Sequence, residues 1–440
     1  MQNHETERWK NSQDFSLLAN SLEKRAVLKE RLIREFNLSG EELKLIADYL
    51  KRRKLEVADK ENFGIVYAIT RYCNLACRHC GVDAKLFNPK SIEGSFETST
   101  EQVHLIIDKI KNYSLISDIT SFLMFGGGEP TLRPDFKEIL RYAAKQLGSN
   151  NVGFCTNGTL WRTDDLLEIE GYLDVIEVSI DGPTTYHNTW RNPGKKSGVT
   201  EPFHTSMDLI LSSVKYEQLR QKIEIASTIT RSNMNLLPDF ARTLRSSGVK
   251  TYSVHRAMPV GRMARRLDDI PDSNEYLRFF IAMVRLKNED WSFGFHLHHS
   301  LESIYSALFL GEDIHQSQLP MGSLRHSIGI DWKGFIYFDP WSLIPPYDGL
   351  TSGNILNNGV DLASLMSDSS NVLHLASEIV KKNVRCKRCG MTCTGGMRLN
   401  AISHHIQLRQ GKSGQRVSDS DFVVGLSQID PACPLYKYSI

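Results

Sequence analysis

The chain has 440 residues, of which 41% are hydrophobic and 24% are charged, and its formal net charge is +2. This length allows two or three domains with a sizeable core, and the composition is ordinary for a globular protein. The balanced charge does not favour nucleic acid, no apolar run reaches the roughly 18 residues of a membrane span, and the first residues lack a signal-peptide core. We therefore expect a cytoplasmic protein that binds neither nucleic acid nor membrane.

The first part of the chain is predicted to be helical. Residues 13–58 are charged and carry leucines at the spacing of amphipathic helices. Ser39 and Glu42 offer a cap for the second of these helices. We expect residues 1–60 to form a stabilising N-terminal extension, and a docking module for a partner peptide is the alternative.

From residue 61 the pattern changes to short β-branched runs that alternate with amphipathic stretches. The runs predicted as strands are Ile65–Thr70, Thr120–Phe125, Asn151–Thr156, Asp174–Ile180, Lys222–Thr230 and Lys250–His255. The predicted helices between them lie near 99–112, 134–147, 164–170, 204–219 and 235–247. Because such alternation produces a parallel sheet covered by helices, the sequence predicts an α/β fold, a partial (β/α)6 barrel over residues 61–295. Active sites of such sheets lie at the C-terminal ends of the strands.

Three cysteines follow the first predicted strand directly. Cys73, Cys77 and Cys80 have the spacing Cys-x3-Cys-x2-Cys. Four thiolates complete the coordination of a cubane iron–sulfur cluster, so three of them leave one iron open to bind a small molecule. Zinc is the alternative metal, but it needs a fourth ligand, and His79 is badly placed to share a metal with the adjacent Cys80.

A glycine-rich run, Phe125-Gly-Gly-Gly-Glu-Pro130, follows the second predicted strand. Gly127 and Gly128 permit close approach of the backbone to a ligand, and Glu129 can accept hydrogen bonds from an ammonium group. A simple turn is the alternative interpretation of the run taken alone.

Two further strand ends carry polar groups. Ser179 closes the fourth predicted strand in Ser-Ile-Asp-Gly, and Arg191 follows it. Asp181 either supports these residues or caps the next turn. Arg262, in the turn after the sixth strand, either contacts substrate or lies at the surface.

The alternation ends near residue 296, and residues 296–375 are predicted to form a bridging region. It contains a hairpin over 327–338 that turns at Asp331–Gly334. The run His296-Leu-His-His299, with Glu302, suggests a metal site, although a histidine cluster in the core or at the surface is the preferred interpretation.

A second cysteine group lies in residues 376–440, predicted as a small separate module. Its members are Cys386, Cys389, Cys393 and Cys433, which can ligate an auxiliary 4Fe–4S cluster, with structural zinc as the alternative. Basic residues crowd this group, so they can stabilise a negative cluster and dock an acidic electron donor such as flavodoxin or ferredoxin. Cys155 stands alone and is expected to be a buried thiol.

Taken together, the cysteine triplet, Gly-Gly-Glu-Pro and Ser-x-Asp-Gly resemble the motifs of the radical S-adenosylmethionine (SAM) superfamily. The resemblance implies a 4Fe–4S cluster on the triplet with SAM bound to its open iron. By the same resemblance, Glu129 and the glycines hold the methionine amino group, Ser179 the ribose and Arg191 the methionine carboxylate. His79 occupies a position that is usually aromatic and packs near the adenine.

The C-terminal cysteines resemble the SPASM and twitch extensions of the same superfamily. The chain departs from the full SPASM pattern, because Phe338-Asp-Pro-Trp341 and Met397 stand where further cysteines are usual. We therefore expect one auxiliary 4Fe–4S cluster and not two.

This resemblance implies an enzyme that reductively cleaves SAM to a 5′-deoxyadenosyl radical and abstracts hydrogen from a substrate. The preferred substrate is a ribosomally made precursor peptide that receives a side-chain crosslink or a thioether. Oxidation of a small molecule, such as a sugar alcohol or a tetrapyrrole side chain, is the first alternative. An iron–sulfur electron carrier or scaffold is the alternative of another class.

Overall fold

The computed structural model describes residues 26–58, 62–87, 96–193, 199–290, 292–297, 327–337 and 351–366, with isolated positions between 302 and 343. The second cysteine group, His298, His299 and Met397 lie outside the described residues. No helix of the described part of the chain is long and apolar enough to cross a membrane.

The strands are β1 (Asn62–Thr70), β2 (Tyr72–Cys73), β3 (Lys85–Leu86), β4 (Thr120–Gly127), β5 (Val152–Thr156), β6 (Val175–Ser179), β7 (Ile223–Ile229), β8 (Thr251–Arg256), β9 (Gly294–Leu297), β10 (Ser327–Ile330), β11 (Phe335–Tyr337) and β12 (Thr351–Asn354). The helices are α1 (described over 26–35), α2 (Gly40–Ala58), α3 (Thr100–Ser117), α4 (Phe136–Leu147), α5 (Thr163–Ile169), α6 (Thr184–Trp190), α7 (Pro202–Ser213), α8 (Glu217–Arg220), α9 (Leu237–Ser246) and α10 (Ser273–Glu289).

One large sheet organises the chain, with the strand order β12-β11-β10-β1-β4-β5-β6-β7-β8-β9. From β10 through β1 and β4 to β9 the paired strands are parallel, and helices connect most of them. The pairs β10–β11 and β11–β12 are antiparallel. This arrangement confirms the predicted α/β fold and all six predicted strands. The sequence analysis did not identify β9, a four-residue strand whose His296 was interpreted as part of a histidine cluster.

The predicted hairpin is present as β10 and β11, and the Gly334 N–H donates to the Asp331 carbonyl at 3.0 Å in its turn. Strand β10 also pairs in parallel with β1, so the main sheet continues past the boundary predicted at residue 295. Trp332 in the turn lies under the guanidinium of Arg71, at 5.0 Å from the ring centroid. The hairpin therefore contacts the segment that carries the cysteine triplet.

The two faces of the sheet differ in composition because strand side chains alternate between them. One face carries buried apolar residues such as Phe154, Ile176 and Val254, which belong to the main core beneath the helices. The other face carries small and polar residues, among them Cys155 and Glu177, which are direct register partners. We call this second side the inner face.

Helices α1 and α2 pack on the barrel near α10. Ser39 and Glu42 form the predicted reciprocal cap, with N–H to side-chain distances of 2.9 and 3.2 Å. Tyr49 of α2 donates to Glu302 at 2.6 Å, and Asn274 of α10 donates to Glu35 at 2.8 Å. The described part of the N-terminal extension is thus joined to the barrel by one buried and one partly buried polar contact as well as by its apolar face.

Candidate active site

The cysteine loop leaves the C-terminal end of β1 and is fastened at both sides. Cys73 lies in β2, and its carbonyl accepts from the Phe87 N–H at 2.9 Å. The Arg78 N–H donates to the Trp190 carbonyl at 2.8 Å, which fixes the middle of the loop to the end of α6. The loop therefore lies at the strand edge where the sequence analysis placed the active site.

Cys73 and Cys77 lie in one small buried cluster with Leu75 and Ala84, and the partly buried Cys80 packs against it. Burial raises the pKa of Cys73 well above its ordinary value, and the neighbouring Cys77 thiol adds to this. Burial likewise raises the pKa of Cys77 to about 11. Loss of these protons must therefore accompany metal binding, because only thiolates act as ligands.

Backbone N–H groups already point at two of the sulfurs. The Leu75 N–H donates to Cys73 Sγ and the Ala84 N–H to Cys80 Sγ, both at 3.3 Å. Such donors stabilise the negative sulfurs of an iron–sulfur cluster. In the described residues no three His, Cys, Asp or Glu side chains are arranged around a single metal ion. A cubane cluster does not need thiolates that converge on one ion, because each thiolate binds a different iron. The cysteine loop, with backbone N–H donors to two of its sulfurs, fits such a cluster.

The glycine-rich run brings the end of β4 against the cysteine loop. The Gly128 N–H donates to the Thr70 carbonyl at 2.7 Å, and a Cβ on Gly128 would overlap the Tyr72 carbonyl. Gly127 has φ +104°, and its Cβ would lie 2.6 Å from the Thr70 oxygen. Because these glycines have no side chain, the end of β4 can lie against the backbone of residues 70–72. The sequence analysis expected the glycines to allow close approach of a ligand instead.

Glu129, the residue after these glycines, is 1% exposed and hydrogen-bonded on both carboxylate oxygens. Oε1 accepts from the Thr131 and Thr156 hydroxyls at 2.6 and 2.8 Å, and Oε2 accepts from the Asn157 N–H at 2.7 Å. Burial raises the pKa of Glu129 although these donors oppose the shift. The Thr131 N–H also donates to Oε1 at 3.2 Å, so Oε1 accepts three hydrogen bonds and Oε2 accepts one. Because each carboxylate oxygen has two lone pairs, Oε2 retains an acceptor site for an ammonium group.

Asp181, fully buried just beyond β6, connects the elements around the loop. Arg191 Nε and Nη2 donate to its two oxygens at 2.6 and 3.1 Å, and the Thr228 N–H donates to Oδ1 at 2.9 Å. His79 Nε2 lies 3.3 Å from Oδ2. Burial alone would raise the pKa of Asp181, but Arg191 outweighs it and holds that pKa well below the ordinary range. The capping alternative is thus wrong, since the carboxylate binds Arg191 and approaches His79.

His79 is 9% exposed and its ring lies 5.8 Å from that of Trp190. Burial lowers its pKa to about 4, which makes the ring neutral near pH 7. With Nε2 facing Asp181, Nδ1 is buried and has no hydrogen-bond partner within the part of the chain that the structure describes.

Arg262 contacts the cysteine loop, whereas the sequence analysis left it between substrate and surface. Its N–H donates to the Cys80 carbonyl, and Nη1 donates to the Ala84 carbonyl, both at 3.0 Å. The preceding Gly261 has φ +57° and lies directly against the backbone of Cys80 and Gly81. This turn therefore closes the loop on the side opposite β4. Ser179 ends β6 and is half-buried.

A row of ionisable side chains on the inner face was missed by the sequence analysis. Cys155, Glu177 and Glu224 are register partners on β5, β6 and β7. His255 Nε2 lies 3.4 Å from Glu177, and His296 Nδ1 lies 3.7 Å from Glu224. The sequence feature that could have revealed this row is a polar residue at every second position of a buried strand, such as Glu177 and Ser179 in β6.

The structure also bears on Cys155 and on the run that begins at His296. Cys155 is only partly buried as a residue, and burial of its thiol, together with the neighbouring Glu177, raises the pKa of that thiol well above its ordinary value. Glu302 does not pair with His296, because Tyr49 and Arg53 donate to it at 2.6 and 3.1 Å. The described members of the histidine cluster thus support no metal site.

Comparison with known proteins agrees with this geometry. Residues 67–201 match the model of the Radical SAM superfamily. An AdoMet-dependent heme synthase of Oleidesulfovibrio alaskensis is 30% identical over 217 residues, 48% of this chain and 50% of the relative. Mycofactocin maturase MftC of Mycobacterium tuberculosis is 29% identical over 301 residues, 67% of this chain and 68% of the relative. The match to the first of these relatives thus spans only half of its length.

Solved structures share the fold. Native anSMEcpe with bound AdoMet and the Cp18Cys peptide aligns with a TM-score of 0.58 at 15% identity, over 86% of this chain and 95% of that one. Streptococcus suis SuiB bound to the precursor peptide SuiA gives a TM-score of 0.58 at 15% identity, over 84% and 79%. At this identity the likeness shows the fold alone.

Proposed function

We propose that this chain, whose residues 67–201 match the model of the Radical SAM superfamily, is a radical SAM enzyme that oxidatively modifies a ribosomally made peptide. The modification is a side-chain crosslink or a thioether. When bound, the 4Fe–4S cluster and SAM supply a 5′-deoxyadenosyl radical that abstracts hydrogen from the substrate. An iron–sulfur carrier is disfavoured, because a carrier has no use for the buried polar groups beside the cysteine loop.

In this proposal Cys73, Cys77 and Cys80 hold the cluster. Glu129 receives the methionine ammonium of SAM on its remaining acceptor capacity, and Arg191 receives the methionine carboxylate. Support for the second role comes from the donor count, since Arg191 uses two of its five N–H donors on Asp181. Ser179, at the end of β6, is assigned to the ribose. The glycines 127 and 128 set the distance between β4 and the loop.

The observation that favours a peptide over a tetrapyrrole is the charge of the inner face. Glu177 and Glu224 lie there, and the inner face of the described strands β5 to β9 carries no Lys or Arg. Burial alone would lower the pKa of the His255 ring, but Glu177 raises it. Burial alone would raise the pKa of Glu177, but His255 lowers it, so this carboxylate is ionised near neutral pH. Tetrapyrrole propionates would meet like charges there, whereas the amide N–H and side-chain donors of a peptide find acceptors. The similarity to MftC, named as a maturase, points the same way.

The C-terminal cysteines complete the proposal. Cys386, Cys389, Cys393 and Cys433 would hold one auxiliary 4Fe–4S cluster that has no open iron, and that cluster would accept the electron from the substrate radical. An acidic donor in the cytoplasm, flavodoxin or ferredoxin, would reduce the cluster at the cysteine loop.

The first test is metal content and SAM cleavage in the anaerobically reconstituted protein. We expect about eight irons per chain with little zinc, because two cubanes hold four irons each. Cys77→Ala should abolish formation of 5′-deoxyadenosine, and Cys155→Ala, outside the loop, should retain it without substrate. Deoxyadenosine formation by Cys77→Ala would contradict the proposal.

The second test separates the two substrate classes. Peptides encoded by short reading frames beside the gene, and Fe-coproporphyrin III, are each incubated with enzyme, SAM and dithionite, and the products are analysed by mass spectrometry. We expect a peptide to lose two hydrogens and to stimulate deoxyadenosine formation. Conversion of the tetrapyrrole alone would favour the small-molecule alternative, for which the similarity to the heme synthase is the support.

A further inference from the structure

Four separate elements meet at the carboxylate of Asp181. It follows β6, accepts from the Thr228 backbone on β7, binds Arg191 after α6 and approaches His79 in the cysteine loop. A fully buried carboxylate costs much free energy unless charged and hydrogen-bonded partners surround it. This buried and hydrogen-bonded charge therefore joins the barrel to the cysteine loop.

Arg191 interacts both with this carboxylate and with the thiols of the cysteine loop. Burial alone would lower the pKa of Arg191, but Asp181 raises it, and the Cys77 thiol adds to the rise. In turn, Arg191 opposes the raised pKa of Cys77. Because Nε and Nη2 are fixed on Asp181, the orientation of the remaining N–H donors is fixed as well.

His79 is oriented by the same carboxylate. The Asp181 carboxylate, 3.3 Å from Nε2, favours a proton on that nitrogen, which leaves Nδ1 as an acceptor in the neutral ring. That atom is buried and has no partner among the described residues, which is costly unless a ligand supplies a donor. The imidazole of His187 contacts the other side of Asp181, where its Nδ1 accepts from the Asp181 N–H at 3.2 Å.

We propose that Asp181 is the positioning residue of the SAM site: it holds Arg191 and His79 in the orientations in which they bind SAM. Asp181 itself touches no ligand in this proposal. The inference rests on the proposed function, and it adds a residue that acts through two others.

The test is equilibrium binding of SAM to the reconstituted holoenzyme, measured by calorimetry and by the change that SAM causes in the EPR spectrum of the reduced cluster. Asp181→Asn retains the size and, with its oxygen in place of Oδ1, the Thr228 contact, but its NH2 group then faces both Arg191 Nε and His79 Nε2. We expect normal iron content and a Kd for SAM raised about tenfold or more, the loss typical of a hydrogen bond to a charged group.

A double-mutant cycle distinguishes positioning from general loosening. His79→Phe should raise the Kd in the wild-type background and have little further effect in Asp181→Asn, because His79 is already misoriented there. Full additivity, or a wild-type Kd in Asp181→Asn, would overturn the proposal. His104 lies in the helical layer, where its ring stacks on Tyr142. As a control, His104→Phe should change neither the iron content nor the Kd for SAM.

If Asp181→Asn does not retain iron, Arg191→Lys decides the question. It keeps a cation beside Asp181 and removes the two-point contact, so the Kd should again rise about tenfold with full iron content. An unchanged Kd in this variant would overturn the inference. Absence of SAM binding in the wild-type holoenzyme would instead refute the proposed function.

Discussion

At the scale of single residues, the pair of Glu177 and His255 on the inner face makes the stability of the protein depend on pH. Burial alone would lower the pKa of His255, but the Glu177 carboxylate raises it above its ordinary 6.5. A histidine whose pKa is higher in the folded than in the unfolded protein contributes its full stabilisation when the pH is below the unfolded-state pKa. This contribution is lost as the pH rises through the folded-state pKa.

Glu177→Gln removes the charge that raises this pKa. NMR titration of labelled histidines should therefore show the His255 pKa fall below that of the wild type, toward the value that burial favours. Glu138→Gln, an exposed change on α4, serves as the control and should leave His255 unchanged. A His255 pKa that is equal in wild type and Glu177→Gln would mean that the pair does not form.

At the scale of elements, the packing of β4 on the cysteine loop depends on Gly127 and Gly128, and the closer approach is at Gly128. A Cβ on Gly128 would overlap the Tyr72 carbonyl, which is backbone and cannot move alone. Gly128→Ala should thus displace the loop, lower the iron content and destabilise the protein by about 1–3 kcal/mol, the usual cost of overpacking. Iron analysis and denaturant unfolding measure both effects.

The neighbouring glycine supplies a matched control. Gly126 belongs to the same glycine run, but a Cβ added there would meet no other part of the described chain within 4 Å. Gly126→Ala should therefore load iron normally and unfold like the wild type. Equal behaviour of the two alanine variants would show that the close approach at Gly128 is not required.

The sequence predicted elements whose signal is local and missed those whose partners are distant. The six strands and the Ser39 cap depend on short-range patterning and are confirmed. Strand β9 is only four residues long and pairs with β8 across α10, so its pattern alone could not identify it. The role of Asp181 likewise depends on His79, about a hundred positions earlier, which no spacing rule connects to it.

At the scale of the whole molecule, buried polar contacts join the first helices to the far end of the barrel. Glu302 is 7% exposed and accepts from Tyr49, from Arg53 and from the Leu297 N–H at the end of β9. A buried carboxylate that loses one donor keeps its desolvation cost without the compensating bond. The N-terminal extension is therefore expected to contribute to the stability of the barrel edge around β9.

Tyr49→Phe tests this long-range connection by removing one hydroxyl from a contact of 2.6 Å. We expect a loss of roughly 1.5–3 kcal/mol in the free energy of unfolding, the range for hydrogen bonds to charged groups. Tyr216→Phe, at a position that is 43% exposed, should change the stability little. Hydrogen exchange should locate the loss in α2 and β9 together, because both supply donors to the same carboxylate; protection lost from α2 alone would show that the two ends unfold independently.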